Sequence, residues 1–456
     1  MLSPKKILVF AIAVLCVMPV NVLADGMIID WAPRPKPIEE NSQVAAINYQ
    51  DGLQKMIISV NYNAADATKA VWIFPVAASP GRVAIDIVRE FPNFYGTDVV
   101  QKARDDINTL TMTSSLTQIY PAFFGLFYYT RSMGGLMMSA ETKAGAIGGT
   151  ISGVTVYEYI EKEGMATEII TASNSHALYD HLRSKGLSIE DGSLDTLGYY
   201  IGKDYTFVVS WISAVDRAAQ ENGGVTMPQY YRQPGIFITF PTDRIYFPLI
   251  PTSIYGSKTI PVRIYVLDYV IPDTYNEIAS YVSTNYYTQK GMTNKYGLEN
   301  FFGNLDTENI KYTKIEMYVP SKFYTQDLWF DKGAPAKVDY AIALTGFTAN
   351  GLLAWLIYVA VISMLTGFVL GAIFFRDPLK FAVLGLANIM TIIGLIVVVS
   401  FTRTKRIDEG LRRHLRASGA LVITSDTRKL YFIILFSILF LILTFFVGYL
   451  LVLPLA

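Results

Sequence analysis

The chain has 456 residues, 52% of them hydrophobic and 17% charged, with a mean hydropathy of +0.33. That balance is apolar for a soluble protein of this length and points to a membrane. Between the two hydrophobic ends acidic residues outnumber basic ones, which argues against nucleic acid as a partner.

Residues 1–24 carry Lys5 and Lys6, then an apolar run from Ile7 to Val20, then Val22-Leu23-Ala24. This is the pattern of a secretory signal cut after Ala24. The alternative is an uncleaved anchor helix, although the run is short for a full span. The only cysteine, Cys16, lies inside this segment. A mature chain without it has neither disulfides nor thiolate metal ligands.

After an extended lead-in with Pro33, Pro35 and Pro37, apolar segments at Met56 to Val60 and Ala70 to Val76 predict strands. Pro80 and Gly81 introduce a predicted short helix near Val83 to Glu90. Residues 133–153 are rich in Gly, Ser, Ala and Met and read as a flexible divider between a first strand-rich part, 25–132, and a second α+β part, 154–345. In the second part, Val154 to Ile160 and Met165 to Thr171 predict a hairpin. Asn174 or Ser175 caps a helix to about Lys185, closed by Gly186. Asp191 or Ser193 starts another short helix with Leu194, Leu197 and Ile201 inward. Tyr205 to Ile212, Ile236 to Phe240, Ile245 to Ile250 and Ile260 to Ile271 predict further strands.

Three long uncharged runs follow: Ala349 to Phe375, Phe381 to Phe401 and Leu430 to Leu455. At about 1.5 Å per residue each is long enough for a bilayer core of about 30 Å. The predicted fold class is therefore an α+β exported domain followed by three C-terminal transmembrane α-helices, with residues 346–456 as the membrane anchor. Pro378 and its short loop make the first two helices a tight hairpin. Gly346, Gly367, Gly371, Gly385 and Gly394 allow close helix approach.

The loop 402–429 carries Arg403, Lys405, Arg406, Arg412, Arg413, Arg416, Arg428 and Lys429 against Asp408, Glu409 and Asp426. Counting crossings from an exported domain places it outside, whereas the positive-inside rule places it in the cytoplasm. An exported domain committed first favours the outside. The rival has one of the first two segments re-entrant or not spanning. Outside, Arg403, Lys405, Arg406, Arg412, Arg413 and Arg416 are candidate lipid head-group contacts. With Ile407, Leu411 and Leu415 one turn apart, the strip reads as a surface amphipathic helix or as a solvated loop.

The start at Asp25-Gly26, the strand ending Ala70-Val71-Trp72-Ile73-Phe74-Pro75-Val76, and the divider running into Gly153-Val154-Thr155-Val156-Tyr157-Glu158 carry a resemblance. Leu178, Leu182, Gly186, Leu197, Tyr200, Gly202 and Phe207, then Phe240-Pro241 and Phe247-Pro248, extend it. Over residues 25–275 the chain resembles a prokaryotic family known only as a domain of unknown function. The resemblance implies an exported, membrane-anchored protein and supplies no catalytic residues. Many such proteins carry cysteines near the mature start or the divider, and this chain has none there.

No residues form a recognisable catalytic or cofactor-binding set. His176 and His181 are five apart on the predicted helix, facing about 140° apart, and read as surface residues. Asp191-x-Ser193-x-Asp195 has Thr196 and Gly202 where a calcium loop needs glycine and glutamate, so it reads as a helix cap. Gly145, Gly148, Gly149 and Gly153 fit no phosphate loop, and Asp105-Asp106 have no identifiable acid/base partner. Among the 30 tyrosines, Tyr286 and Tyr287 with Tyr296, Phe301 and Phe302 lie among Asn, Thr, Gln and Gly. That mixture suits a protein or sugar contact surface, or tyrosines half-buried on a sheet. The expected function is binding or assembly at the membrane, with a membrane or cell-surface protein as partner. An accessory subunit of a transport complex is the second possibility, and a membrane-bound enzyme the third.

Overall fold

A computed structural model describes residues 27–29, 43–60, 71–88, 90–119, 150–151, 153–162, 165–184, 191–212, 235–291, 297–375, 377–390, 394, 396, 399 and 425–455. The signal-like segment, most of the Gly-rich divider, Tyr296 and loop residues 402–424 lie outside them. The chain forms two compact units: residues 1–96 with 136–333, and residues 97–135 with 334–456. The fold is mixed α+β, rich in sheet before residue 333 and helical at the C-terminus.

In chain order the elements are β1 (Met27–Ile29), β2 (Gln43–Gln50), β3 (Leu53–Val60), β4 (Val71–Val76), β5 (Ala84–Val88), α1 (Val99–Ile119), β6 (Thr150–Ile151), β7 (Val154–Lys162) and β8 (Met165–Ala172). Then come α2 (Ser175–Ser184), α3 (Asp191–Gly198), β9 (Thr206–Ile212), β10 (Gly235–Pro241), β11 (Ile245–Phe247), β12 (Val262–Leu267), β13 (Val270–Asp273), β14 (Val282–Lys290), β15 (Asn309–Met317) and β16 (Leu328–Lys332). The last helices are α4 (Ala336–Ala349), α5 (Gly351–Leu370), α6 (Pro378–Gly385) and α7 (Ser425–Val452).

The first unit holds one sheet in the order β1-β4-β9-β8-β7-β6, a second running β5-β10-β3-β2-β12-β15-β14, and a small third sheet β11-β16-β13. Trp72, Phe74, Ile169 and Val208 of the first sheet share a core with Met56, Ile58, Ile236 and Ile264 of the second. The outer face of the first sheet is covered by α2 and α3 through Leu178, Leu182 and Leu197. The outer face of the second is covered by Leu298, Phe301 and Phe302. Because both faces of β2 are buried, Val44-Ala45-Ala46-Ile47 reads as an apolar run without alternation. Asp51 and Gly52, at φ 51° and 78°, make the tight turn from β2 to β3 that an Asp-Gly pair favours.

Local signals explain most of these elements. The Asn174 side chain accepts from the amide of Ala177 at 2.8 Å, capping α2 as expected. The helix expected near Val83 to Glu90 is instead β5. Ile85 and Ile87 alternate into the core and the segment pairs with β10, so tertiary pairing outweighs the Pro-Gly start signal. The long strand expected from Ile260 to Ile271 is broken at Asp268, whose φ of 72° turns the chain from β12 into β13. The Ile245 to Ile250 segment is a strand only to Phe247 and then enters a 3-10 turn at Ile250–Tyr255.

In the second unit α1 packs against α4, α5 and α7. Thr348 donates to Asp106 at 3.0 Å, Thr111 and Tyr358 hydroxyls meet at 3.2 Å, and Tyr358 donates to the Thr444 carbonyl at 2.7 Å. Helices α5 and α6 form the expected hairpin. A Cβ at Gly371 would lie 2.8 Å from Pro378 Cα, and one at Gly367 would strike the Phe381 carbonyl. Gly346, in contrast, has open space around it. Among the described residues two helices are long and apolar enough to cross a bilayer, Gly351–Phe375 and Leu430–Leu455. In place of the expected span Phe381 to Phe401, the described residues include a shorter apolar helix, Pro378–Ile389, that passes into a 3-10 turn at Leu386–Met390.

Candidate functional site

The first unit carries a cleft of about 510 Å³ where several loops converge. Ala77, Ala78, Pro241 and Trp329 supply its apolar surface, and Arg82, Asp204, Asp243 and Arg244 its charged groups. The β2–β3 turn fixes one wall: the Thr242 amide donates to the Gly52 carbonyl at 2.9 Å, and the Tyr49 hydroxyl donates to the Thr242 carbonyl at 3.0 Å. Another wall is tied by Thr206, whose hydroxyl donates to the Ala78 carbonyl at 2.6 Å.

Arg244 pairs with Asp273 at 3.0 Å and Asp331 at 3.1 Å, and its guanidinium lies 5.9 Å from the Trp329 ring centre. Hydrogen bonding to Asp273, then the charges of Asp331 and Asp273, raise its pKa further. Being exposed, this cluster adds little stability. It does hold the guanidinium beside the indole.

Beneath the indole, the Tyr246 ring lies 4.9 Å from Trp329 and leads to a buried carboxylate, Asp327. Asp327 accepts from the hydroxyls of Tyr200 at 2.8 Å and Tyr246 at 3.0 Å, and from the amides of Leu249 at 2.9 Å and Ile250 at 3.1 Å. Burial pushes the Asp327 carboxyl above its ordinary value of 3.8 despite these donors. Burial, reinforced by the Asp327 charge, raises the Tyr200 and Tyr246 phenols, and lifts Tyr205 to about 12. At neutral pH these tyrosines are therefore uncharged, and Tyr200 and Tyr246 donate to the carboxylate that leads into the strand carrying Trp329.

The aromatic residues singled out in the sequence lie elsewhere. Tyr286, Phe301 and Phe302 are buried, and the Tyr286 hydroxyl donates to the Val270 carbonyl at 3.1 Å. Tyr287 is half-buried and stacks on Tyr312 at 5.0 Å. Phe301, Phe302 and Tyr287 pack on the outer face of the second sheet, while Tyr286, next along β14 and so on the opposite face, meets Tyr269 edge-on at 5.6 Å; the burial of Tyr286, Phe301 and Phe302 fits the sheet-packing alternative. Tyr296 and the basic residues Arg403 to Arg416 lie outside the described residues. The cleft residues Asp243 and Arg244 fall between the Phe240-Pro241 and Phe247-Pro248 pairs, where a charged insert between two apolar strands was the available signal. Trp329 and Asp204 had none.

His176 is exposed as expected, but His181 is buried. Its Nε2 lies 2.5 Å from Glu168 Oε1, with both side chains about 2% exposed or less. Helical rotation separates the two histidines, and the His181 face is the one pressed onto β8. Replacing His181 by alanine is expected to destabilise the protein by about 3 kcal/mol, since Glu168 loses this buried partner. The double change His181→Leu, Glu168→Leu is expected to recover most of that loss in a chemical-denaturation series. A double variant as unstable as the single one would refute this account. Among the described residues no group of three or more His, Cys, Asp or Glu side chains could hold a metal ion.

No family model matches the chain, and neither a curated protein nor a solved structure matches it.

Proposed function

We propose that this is a multi-pass membrane protein whose sheet-rich unit lies outside the cytoplasm and acts by binding or assembly, without catalysis. The observation that carries the reading is the Trp329 cleft. It sets a flat aromatic surface beside the charged groups of Arg82, Asp204 and Asp243. Such a set suits a polar ligand presenting both donors and acceptors, as an oligosaccharide or a peptide segment does. The apolar C-terminal helices support anchoring, and the basic strip Arg403 to Arg416 supplies lipid head-group contacts.

The test is titration of the full-length protein in nanodiscs with panels of neutral oligosaccharides and peptides. Trp329→Ala is expected to weaken the binding about 30-fold, the loss of roughly 2 kcal/mol typical of an aromatic anchor. Saturable binding that Trp329→Ala leaves untouched, or none at all by the wild type, would reject the cleft as the site.

A second reading, an accessory subunit of a membrane transport complex, is favoured by polar groups inside the helical unit. Asn388 donates to Ser363 at 3.2 Å, and Tyr358 links Thr111 to Thr444. Solute flux in partner-containing liposomes that depends on Tyr358 would support it.

A further inference from the structure

We propose that α1 is itself inserted into the bilayer, as the first leg of a re-entrant excursion that leaves and returns on one side. The proposal rests on the membrane reading of the second unit. The side chains of α1 change character along the helix. In its first turns the exposed positions are Gln101, Asp105, Asn108 and Thr109. One turn later they are Met112, 54% exposed, and Leu116, 39% exposed, while Thr111, Ser114 and Ser115 are buried against the bundle. Apolar outside and polar inside is the reverse of a water-soluble helix and is the arrangement lipid selects.

The neighbours match this depth. Arg104 donates to the Leu455 carbonyl at 2.9 Å, at the very end of the α7 span, so charge sits where that span ends. Seven residues later, Thr111 reaches Tyr358 and packs so tightly on α7 that a Cβ at Gly448 would meet its Cγ2 at 3.1 Å. From Ile107 to Thr130 the sequence has no charged residue, a stretch that includes Pro121-Ala122-Phe123-Phe124-Gly125-Leu126-Phe127. Its hydroxyl-rich first half lowers its hydropathy below that of an ordinary span.

Strand pairing decides that the excursion returns. Strand β4, before α1, pairs with β9, after it, and β2 pairs with β12. A bilayer cannot pass through a hydrogen-bonded sheet, so the strands before α1 and those from β6 onward lie on the same side.

The experiment uses full-length protein in native membranes, opened so that both faces are accessible, with Cys16→Ser as background. Single cysteines are placed at Met112 and Leu116, at Gln101 and Tyr281 as water references, and at Ile438 as the span reference, then reacted with a charged maleimide. All five side chains are solvent-facing in the fold, so packing is spared. Met112→Cys and Leu116→Cys are expected to react at least about tenfold more slowly than the water references and to match Ile438→Cys. Water-like reaction at Met112 and Leu116 with Ile438 protected would overturn the insertion alone. Water-like reaction at Ile438 as well would overturn the membrane reading and the insertion with it.

Discussion

Replacing Gly367 by leucine is expected to break the α5–α6 hairpin. A Cβ at this position would fall onto the Phe381 carbonyl oxygen, 2.8 Å from the Phe381 carbonyl carbon and 3.2 Å from Ala382 Cα. These are backbone atoms, which cannot swing away as a long side chain would. The same seam continues at Gly371, one turn on, and at Gly385, whose Cβ would meet the Ser363 carbonyl. Ser363, Gly367 and Gly371 thus form a small-residue stripe through which two helices touch backbone to backbone. Larger residues must separate the helices, forfeiting dispersion contacts and the 3.2 Å Asn388–Ser363 hydrogen bond beside the seam. The expected cost is about 3 kcal/mol or more, read as a lower melting temperature in detergent. Gly346→Ala, where nothing lies within 4 Å, is expected to leave the protein equally stable or stabilise it by up to about 1 kcal/mol. Equal melting of Gly367→Leu and wild type would show that the close approach is not required.

Asp327→Ala is expected to be the most damaging single change in the sheet-rich unit. It would leave the Tyr200 and Tyr246 hydroxyls and the Leu249 and Ile250 amides without the carboxylate they share. With several buried donors orphaned at once, the loss should reach about 3–5 kcal/mol. Asp327→Asn keeps one acceptor oxygen and should cost about half as much. The raised carboxyl also sets a pH dependence. The folded state binds this proton more tightly than the unfolded chain, so this group's contribution is full below about 3.8, falls as pH rises to the raised folded value, and is flat beyond. In the Asn variant that slope should be absent. Denaturation followed by tryptophan fluorescence reads both effects, because Trp329 stands two residues from the hub. An Asp327→Ala protein within about 1 kcal/mol of wild type would refute the hub.

Much of this architecture is written in short-range patterns. The β7–β8 hairpin, the Asn174 cap and the apolar lengths of α5 and α7 follow from periodicity, capping chemistry and the thickness of hydrocarbon. The glycines at 367, 371 and 385 likewise announce a close helix pair, because backbone contact in a membrane calls for small residues. All of these depend on a residue and its neighbours within a few turns.

What only the tertiary structure decided involves partners far apart in the chain. The Asp327 hub joins residues 200, 246, 249, 250 and 327, none of which carries a local mark of the others. Segment 84–88 became a strand because β10 offers it a ladder, and Phe301 and Phe302 became core because a sheet face needed cover. The assignment of α1 to the helical unit was equally hidden, since its buried threonines and serines lower hydropathy while serving the interior of a bundle. Periodicity reports which face of a segment is apolar; only three-dimensional packing says what that face meets.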